Sequence, residues 1–151
     1  MKGNELFFIS PPEFRLYQEI LDYLKKVGVK YHETDDIESV LPFLDGLYVT
    51  RIQWERLDSK DQFEKILEKY DRFAVTAERA DMMKKDSIIL HPLPINTNKS
   101  NGHPEIRPEV DKHPRAVYFD QSNNGLIVRM ALLDTIFAKD DLYNLIGDIP
   151  Q

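Results

Sequence analysis

Short apolar runs alternate with amphipathic stretches along the chain, and this alternation sets the first expectation. Leu6-Phe7-Phe8-Ile9 is apolar without a break and closes at Ser10-Pro11-Pro12. An unbroken apolar run suits a strand buried on both faces. Ser10 is placed as a helix N-cap, with prolines in the first turn and Glu13 at the capping-box position. Phe14, Tyr17, Ile20, Leu21 and Leu24 follow at helical spacing, and Gly28 stands where a C-cap belongs. Val29 to His32 reads as an edge-like strand, and Asp36 to Phe43 as a short amphipathic helix that Pro42 ends early.

The second half repeats the pattern. Leu47 to Thr50, Phe73 to Val75 and Ser87 to Leu90 read as strands. Between them, Ser59 to Tyr70 carries Phe63, Ile66 and Leu67 on one face, and Ala77 to Met83 is a short helix. Asn96 to Pro104 is a polar surface loop. Ala116 to Phe119 is either a short strand or an extended lead-in. Asn123 to Ala138 is a helix with Ile127, Met130, Ala131, Leu133, Ile136 and Phe137 on its apolar side, and a loosely packed tail follows from Asp140.

Strands alternating with helices at this spacing predict an α/β fold of three layers, an open, mostly parallel, Rossmann-like sheet with helices on both faces. The whole chain, 1–151, is one domain without repeat or linker. Right-handed crossovers bring the carboxyl ends of the strands to one edge, where ligands of such sheets bind. The loops after the strands are therefore the places to look for chemistry.

Composition narrows the classes. A net charge of −6 leaves no basic excess for phosphates, so non-specific nucleic-acid binding is not expected. The absence of cysteine excludes disulfides and thiolate zinc sites. No run nears the ~20 apolar residues of a membrane span, and Lys2-Gly3-Asn4-Glu5 does not open a signal peptide. The expected location is the cytoplasm.

Two strand ends carry chemistry. Thr50-Arg51-Ile52-Gln53-Trp54-Glu55-Arg56 puts a guanidinium directly after a strand. A guanidinium binds a carboxylate or phosphate through two parallel bonds, and Gln53 adds a donor and an acceptor. The competing reading is a surface network with Glu55 and Asp58, and spacing alone leaves both open. His91-Pro92-Leu93-Pro94 follows the last strand, and its prolines stiffen the turn and remove two amide donors, which frees carbonyls for a ligand. His91 at the end of a buried strand is expected to be a structural hydrogen-bond partner rather than a base. Glu33-Thr34-Asp35-Asp36 is an acidic capping turn rather than a metal site, and His103 and His113 lack the neighbours a metal needs. Asn123-Asn124-Gly125 is a cap and turn. No glycine-rich phosphate loop or nucleophile elbow occurs.

These residues resemble a known family. Thr50 to Arg56 is similar to the Thr-Arg-x-Gln-x-Glu-Arg motif of aspartate carbamoyltransferases, and His91 to Pro94 to their His-Pro-Leu-Pro loop. Glu105-Ile106, Val110-Asp111, Pro114, Ala116, Tyr118-Phe119, Gln121, Asn124-Gly125 and Arg129 to Leu133 match the family's last segment in order. The likeness runs from Lys2 to Phe137. The Ser-Met-Gly loop and His-Cys-Leu-Pro of the ornithine enzymes are absent, which favours aspartate as the amino substrate. The resemblance implies transfer of a carbamoyl group from carbamoyl phosphate to the amine of L-aspartate, in pyrimidine synthesis, without metal or organic cofactor. It implies that Arg51 holds a carboxylate of aspartate and Gln53 orients it. It also implies that the Pro92 and Leu93 carbonyls, with Pro94 shaping the turn, meet the carbamoyl group and the attacking amine. Glu55 and Arg56 would tie the loop to its neighbours, and a homo-oligomer, a trimer in the family, is expected.

The departures shape the rest of the expectation. The carbamoyl-phosphate domain, with its Ser-x-Arg-Thr-Arg loop, is absent, as is the first strand of the aspartate domain with its Gly-Arg-Thr-Val-His-Ser segment. Trp54 stands in place of the family's lysine and Ile95 in place of an arginine, and Asn96 to His103 reads as an insertion, with Arg107 and Lys99 the candidate replacements for that arginine. The chain is expected to be a separately encoded or truncated portion that needs a carbamoyl-phosphate-binding domain from another polypeptide. A non-catalytic relative serving as a binding module, or an inactive fragment, is the alternative.

Overall fold

A computed structural model describes residues 3–51, 70–96 and 104–137. Strand β1 (Glu5–Ile9) leads to a 3₁₀ turn at Pro12–Phe14, helix α1 (Gln18–Lys26) and strand β2 (Lys30–Thr34). A 3₁₀ turn at Leu41–Phe43 precedes strand β3 (Gly46–Tyr48). Helix α2 (Ala77–Met82), strand β4 (Ile88–Leu90), a 3₁₀ turn at Pro108–Lys112 and helix α3 (Tyr118–Phe137) follow.

Among the described residues every strand pairing is parallel, in line with the α/β expectation. β1 pairs with β2 in the register Leu6↔Tyr31 and Phe8↔Glu33, and β3 pairs with β4 in the register Gly46↔Ile88 and Tyr48↔Leu90. The two pairs form separate two-stranded sheets among the described residues. The outer edge of β4 is covered: Ile89 bridges Ala116, with the Ile89 amide donating to Arg115 O at 2.7 Å and Val117 N donating to Ile89 O at 3.1 Å.

The core gathers where β3, β4, α2 and the start of α3 meet. Leu41, Val75, Ala80, Ile89, Ile106, Val110 and Tyr118 are all but fully buried. Each larger apolar side chain so buried contributes on the order of 1.5–3 kcal/mol. α2 begins as its sequence directs, with Thr76 Oγ1 accepting from Arg79 N at 3.3 Å. The Arg79 guanidinium then donates to Ala74 O at 2.7 Å and to Glu38 Oε1 at 2.9 Å, which ties α2 to the turn before β3.

Several sequence expectations are corrected. Ser10 does not cap a helix: its amide donates to Thr34 O at 3.0 Å and so extends the β1–β2 ladder. Pro11 is extended, Pro12–Phe14 makes only a 3₁₀ turn, and α1 starts at Gln18. Asp36 to Phe43 is not an amphipathic helix; Asp36 Oδ1 accepts from Ser39 N at 3.3 Å in a local turn, and only Leu41–Phe43 is helical, as a 3₁₀ turn. Phe73 to Val75 reduces to a single bridge, Val75↔Ile106. Asn123-Asn124-Gly125 lies inside α3, because the helix already starts at Tyr118 beside the Ala116 bridge. The Gly28 cap is borne out, with φ +73 and its amide donating to Lys25 O at 3.1 Å. The Ser59 to Tyr70 helix, except for its last residue, and the tail from Asp140 lie outside the described residues.

Candidate active site

Because β3 and β4 are parallel neighbours, the chain leaves both at one edge. Val49 N donates to Leu90 O at 2.9 Å, so the pairing holds up to the point of departure. Thr50 and Arg51 then follow β3, exposed, while His91-Pro92-Leu93-Pro94 follows β4. The fold thus brings to one edge Arg51, the start of the first segment that the sequence singles out, and the His91–Pro94 turn. Gln53, Glu55 and Arg56 lie outside the described residues.

The turn after β4 is held from beneath. His91 is 1% exposed, and its Nδ1 accepts from Leu93 N at 2.8 Å. A nitrogen that accepts carries no proton, so Nε2 bears the hydrogen and donates to Glu105 Oε1 at 3.0 Å. Glu105 is also buried, and its carboxylate accepts from Asn96 N at 3.2 and 3.3 Å. Both ends of the turn are therefore fastened to one carboxylate. His91 is a structural partner, as the sequence suggests, and not a free base.

The His91 amide donates to Gln121 Oε1 at 3.0 Å. Gln121 lies in the first turn of α3, where its own amide donates to Val117 O at 2.8 Å. That turn is anchored by Tyr118, fully buried, whose hydroxyl donates to Asp111 Oδ1 at 2.6 Å. Burial, and then the hydrogen bond and charge of Asp111, push the Tyr118 phenol well above its ordinary range.

The donor inventory of His91–Pro94 follows. The His91 amide is taken by Gln121 and the Leu93 amide by the His91 ring. Pro92 and Pro94 have none. The main chain of this turn has no N–H left to offer, so it can present a ligand only with carbonyl oxygens. Leu93 is held at φ +51, a left-handed backbone that costs a branched residue roughly 1–2 kcal/mol, and the Leu93–Pro94 peptide is cis. Backbone held in a sparsely populated region by surrounding bonds is a frequent mark of a ligand site.

The other candidates fall into structural roles. Ile95 packs against the core cluster. Arg107 pairs with Asp71. Lys99 lies outside the described residues. Asp35 pairs with Arg72 at 2.9 Å, and His113 Nε2 lies 3.1 Å from Asp81 Oδ1. No group of three or more His, Asp or Glu able to hold a metal occurs among the described residues. Sequence reasoning assigned no role to Glu105 or Gln121, although both stand in the ordered matches that carry the resemblance.

The chain is similar to known proteins in both sequence and structure. Residues 1–136 match the family profile of the aspartate/ornithine carbamoyltransferase Asp/Orn-binding domain. The aspartate carbamoyltransferase catalytic subunit of Methanopyrus kandleri is 44% identical over 137 residues, covering 90% of this chain and 41% of that protein. The multifunctional protein CAD of Squalus acanthias is 38% identical over 135 residues, covering 89% of this chain and 6% of that protein. Among solved structures, the catalytic subunit of M. jannaschii aspartate transcarbamoylase superposes with a TM-score of 0.74 at 35% identity, covering 91% of this chain and 41% of that one. The Trypanosoma cruzi aspartate transcarbamoylase in complex with N-(phosphonacetyl)-L-aspartic acid gives 0.70 at 30% identity, covering 85% and 39%. This chain thus spans about two-fifths of the length of the catalytic subunits it matches.

Proposed function

The chain belongs to the aspartate/ornithine carbamoyltransferase family, as its Asp/Orn-binding domain, and we propose that it supplies the aspartate-binding half of an aspartate carbamoyltransferase. The reaction is attack of the L-aspartate amine on the carbamoyl carbon of carbamoyl phosphate. The amine gains the carbamoyl group, loses a proton, and phosphate leaves.

The observation that carries this reading is the acceptor-only turn His91–Pro94. An attacking amine and a carbamoyl NH₂ are both N–H donors, and the Pro92 and Leu93 carbonyls are the complementary groups. Arg51, leaving the same sheet edge after β3, supplies the charge that a substrate carboxylate needs. Pro94 shapes the turn, Gln53 orients aspartate, and Glu55 and Arg56 brace the Arg51 loop. Such a site works by orientation and charge complementarity, which together can lower a barrier by several kcal/mol. Carbamoyl phosphate is held by a carbamoyl-phosphate-binding domain, in the length of the relatives that residues 1–151 do not cover. The working form is a homo-oligomer, the family's trimer, and the setting is the cytoplasm. These assignments rest on family membership and on the donor inventory of the turn.

The test is formation of carbamoyl-aspartate from carbamoyl phosphate and L-aspartate, measured for the chain alone and for the chain mixed with the part of the Methanopyrus kandleri catalytic subunit outside its match. Product that depends on this chain and is lost in Arg51→Ala supports the reading. A stable assembly that forms no product and binds no L-aspartate overturns it.

A further inference from the structure

Gln121 touches both strand ends that carry the candidate site. Its Oε1 accepts from His91 N at 3.0 Å, and its Nε2 donates to Tyr48 Oη at 3.4 Å. A backbone amide can only donate, so the His91 contact fixes which end of the carboxamide is oxygen, and Nε2 is left to face the tyrosine hydroxyl. Tyr48 is the last residue of β3, and Val49-Thr50-Arg51 follows it. Satisfying the His91 amide needs only the oxygen; the second contact adds a tie to β3.

The peptide between Leu90 and His91 closes a circuit. Its carbonyl oxygen, Leu90 O, accepts from Val49 N at 2.9 Å, and its N–H goes to Gln121. A peptide is planar, so holding its oxygen and its hydrogen at once fixes the plane from which the His91–Pro94 turn hangs. The circuit runs from Tyr48 through Gln121 to His91, back across Leu90 to Val49, and along the main chain to Tyr48. Gln121 is itself placed from beyond the circuit. Its amide donates to Val117 O at 2.8 Å, Val117 N donates to Ile89 O at 3.1 Å, and the buried Tyr118 is pinned to Asp111.

We propose that Gln121 is a positioning residue: it holds the chain that leaves β3 toward Arg51 and the acceptor turn after β4 in one fixed relation. Its use in carbamoyl transfer rests on the proposed function. There, the cation for a substrate carboxylate and the carbonyls that meet the attacking amine stand on two different strand ends. Their relation must be set before substrate arrives, because orientation lowers such a barrier and a misplacement of ~1 Å can cost ~100-fold in rate. Gln121 acts through the two strand ends and not on the reacting atoms.

The experiment compares the ¹⁵N-labelled chain with its Gln121→Met, Gln121→Glu and Tyr48→Phe variants, first alone and then assembled with the unmatched part of the Methanopyrus kandleri catalytic subunit. In the chain alone, Gln121→Met should speed His91 amide exchange about 5-fold, the worth of one hydrogen bond. It should also shift the amide resonances of Thr50 and Arg51 along with that of Leu93. Tyr48→Phe keeps the half-exposed ring and should still shift the His91 resonance. Gln121→Glu has one oxygen for the His91 amide and another to accept from the Tyr48 hydroxyl, so it should restore the wild-type pattern. In the assembly, Gln121→Met should lower kcat at least ~10-fold, and Gln121→Glu should recover most of it. Tyr48→Phe should cost about 3-fold alone and nothing further beside Gln121→Met. Thr50 and Arg51 resonances that stay put in Gln121→Met overturn the inference, as do a His91 resonance indifferent to Tyr48→Phe or additive losses in the double variant. Should Gln121→Met not fold, Tyr48→Phe decides by the same His91 resonance. A wild-type assembly without product sinks the proposed function instead, while the resonances still decide the tie between the strand ends.

Discussion

His91 Nδ1 accepts the Leu93 amide at 2.8 Å, and on its far side Nε2 donates to Glu105 at 3.0 Å. The ring is a spacer between a buried carboxylate and a strained turn. Glu105→Gln keeps an acceptor at the same place and should cost only about 1 kcal/mol. His91→Phe fills much of the volume but leaves the Glu105 carboxylate buried without its main donor, at a cost of about 3 kcal/mol. Urea unfolding of the two variants checks this, and equal losses would remove the ring from its spacer role.

Leu93 gives an inverted ranking of substitutions. At φ +51 a residue with a Cβ is strained, and glycine is not. Leu93→Ala and Leu93→Gly lose the same half-buried packing against the core, but only alanine keeps the strain. Leu93→Gly should therefore be the more stable of the two by about 1 kcal/mol, the reverse of the usual order. Thermal unfolding of the pair decides it.

Local signals were legible in the sequence and distant ones were not. The Gly28 cap and the strand at Leu6 to Ile9 follow from a few adjacent residues. Ser10 misled because its amide had a competing partner 24 residues away in Thr34, and a ladder bond outweighs a capping pattern that Pro11 and Pro12 cannot complete. Asn123 to Gly125 misled for a related reason: the bridge at Ala116 and the buried Tyr118 start α3 early, and the helix then runs through residues of weak helical preference. Arg51 and the Pro92–Pro94 turn were visible as motifs. Glu105 and Gln121, which hold that turn, lie 14 and 30 residues from His91, and no spacing rule joins them. The apolar side of α3 was legible as a pattern, yet Ile127, Met130, Leu133, Ile136 and Phe137 are exposed.

Tyr118 gives stability a dependence on pH. Its folded phenol titrates above the unfolded value of ~10. Below that value both states keep the proton and the group adds no slope. Above it the unfolded state loses its proton first, holds fewer protons than the native state, and stability falls as pH rises. Tyr118→Phe should lose about 1–2 kcal/mol near neutrality with its bond to Asp111. It should also show a shallower decline above ~pH 10. Tyr70, whose phenol burial also raises, keeps part of the slope. Melting temperature against pH for both proteins tests this, and parallel curves would refute it.

Arg51 separates site from scaffold. It is exposed after β3, so Arg51→Ala should cost the free chain no more than about 1 kcal/mol, the scale of an exposed side-chain contact. In the assembled enzyme the same change removes the partner of a substrate carboxylate, a loss of about 3–5 kcal/mol. That corresponds to a fall in kcat/KM for aspartate of roughly 100- to 5,000-fold. Arg51→Lys keeps the charge but not the planar two-point donor and should recover only part of the loss. Turnover near normal in Arg51→Ala would take Arg51 out of the site. A large loss of stability in the free chain would instead make the residue structural, and the aspartate carboxylate would then need another cation.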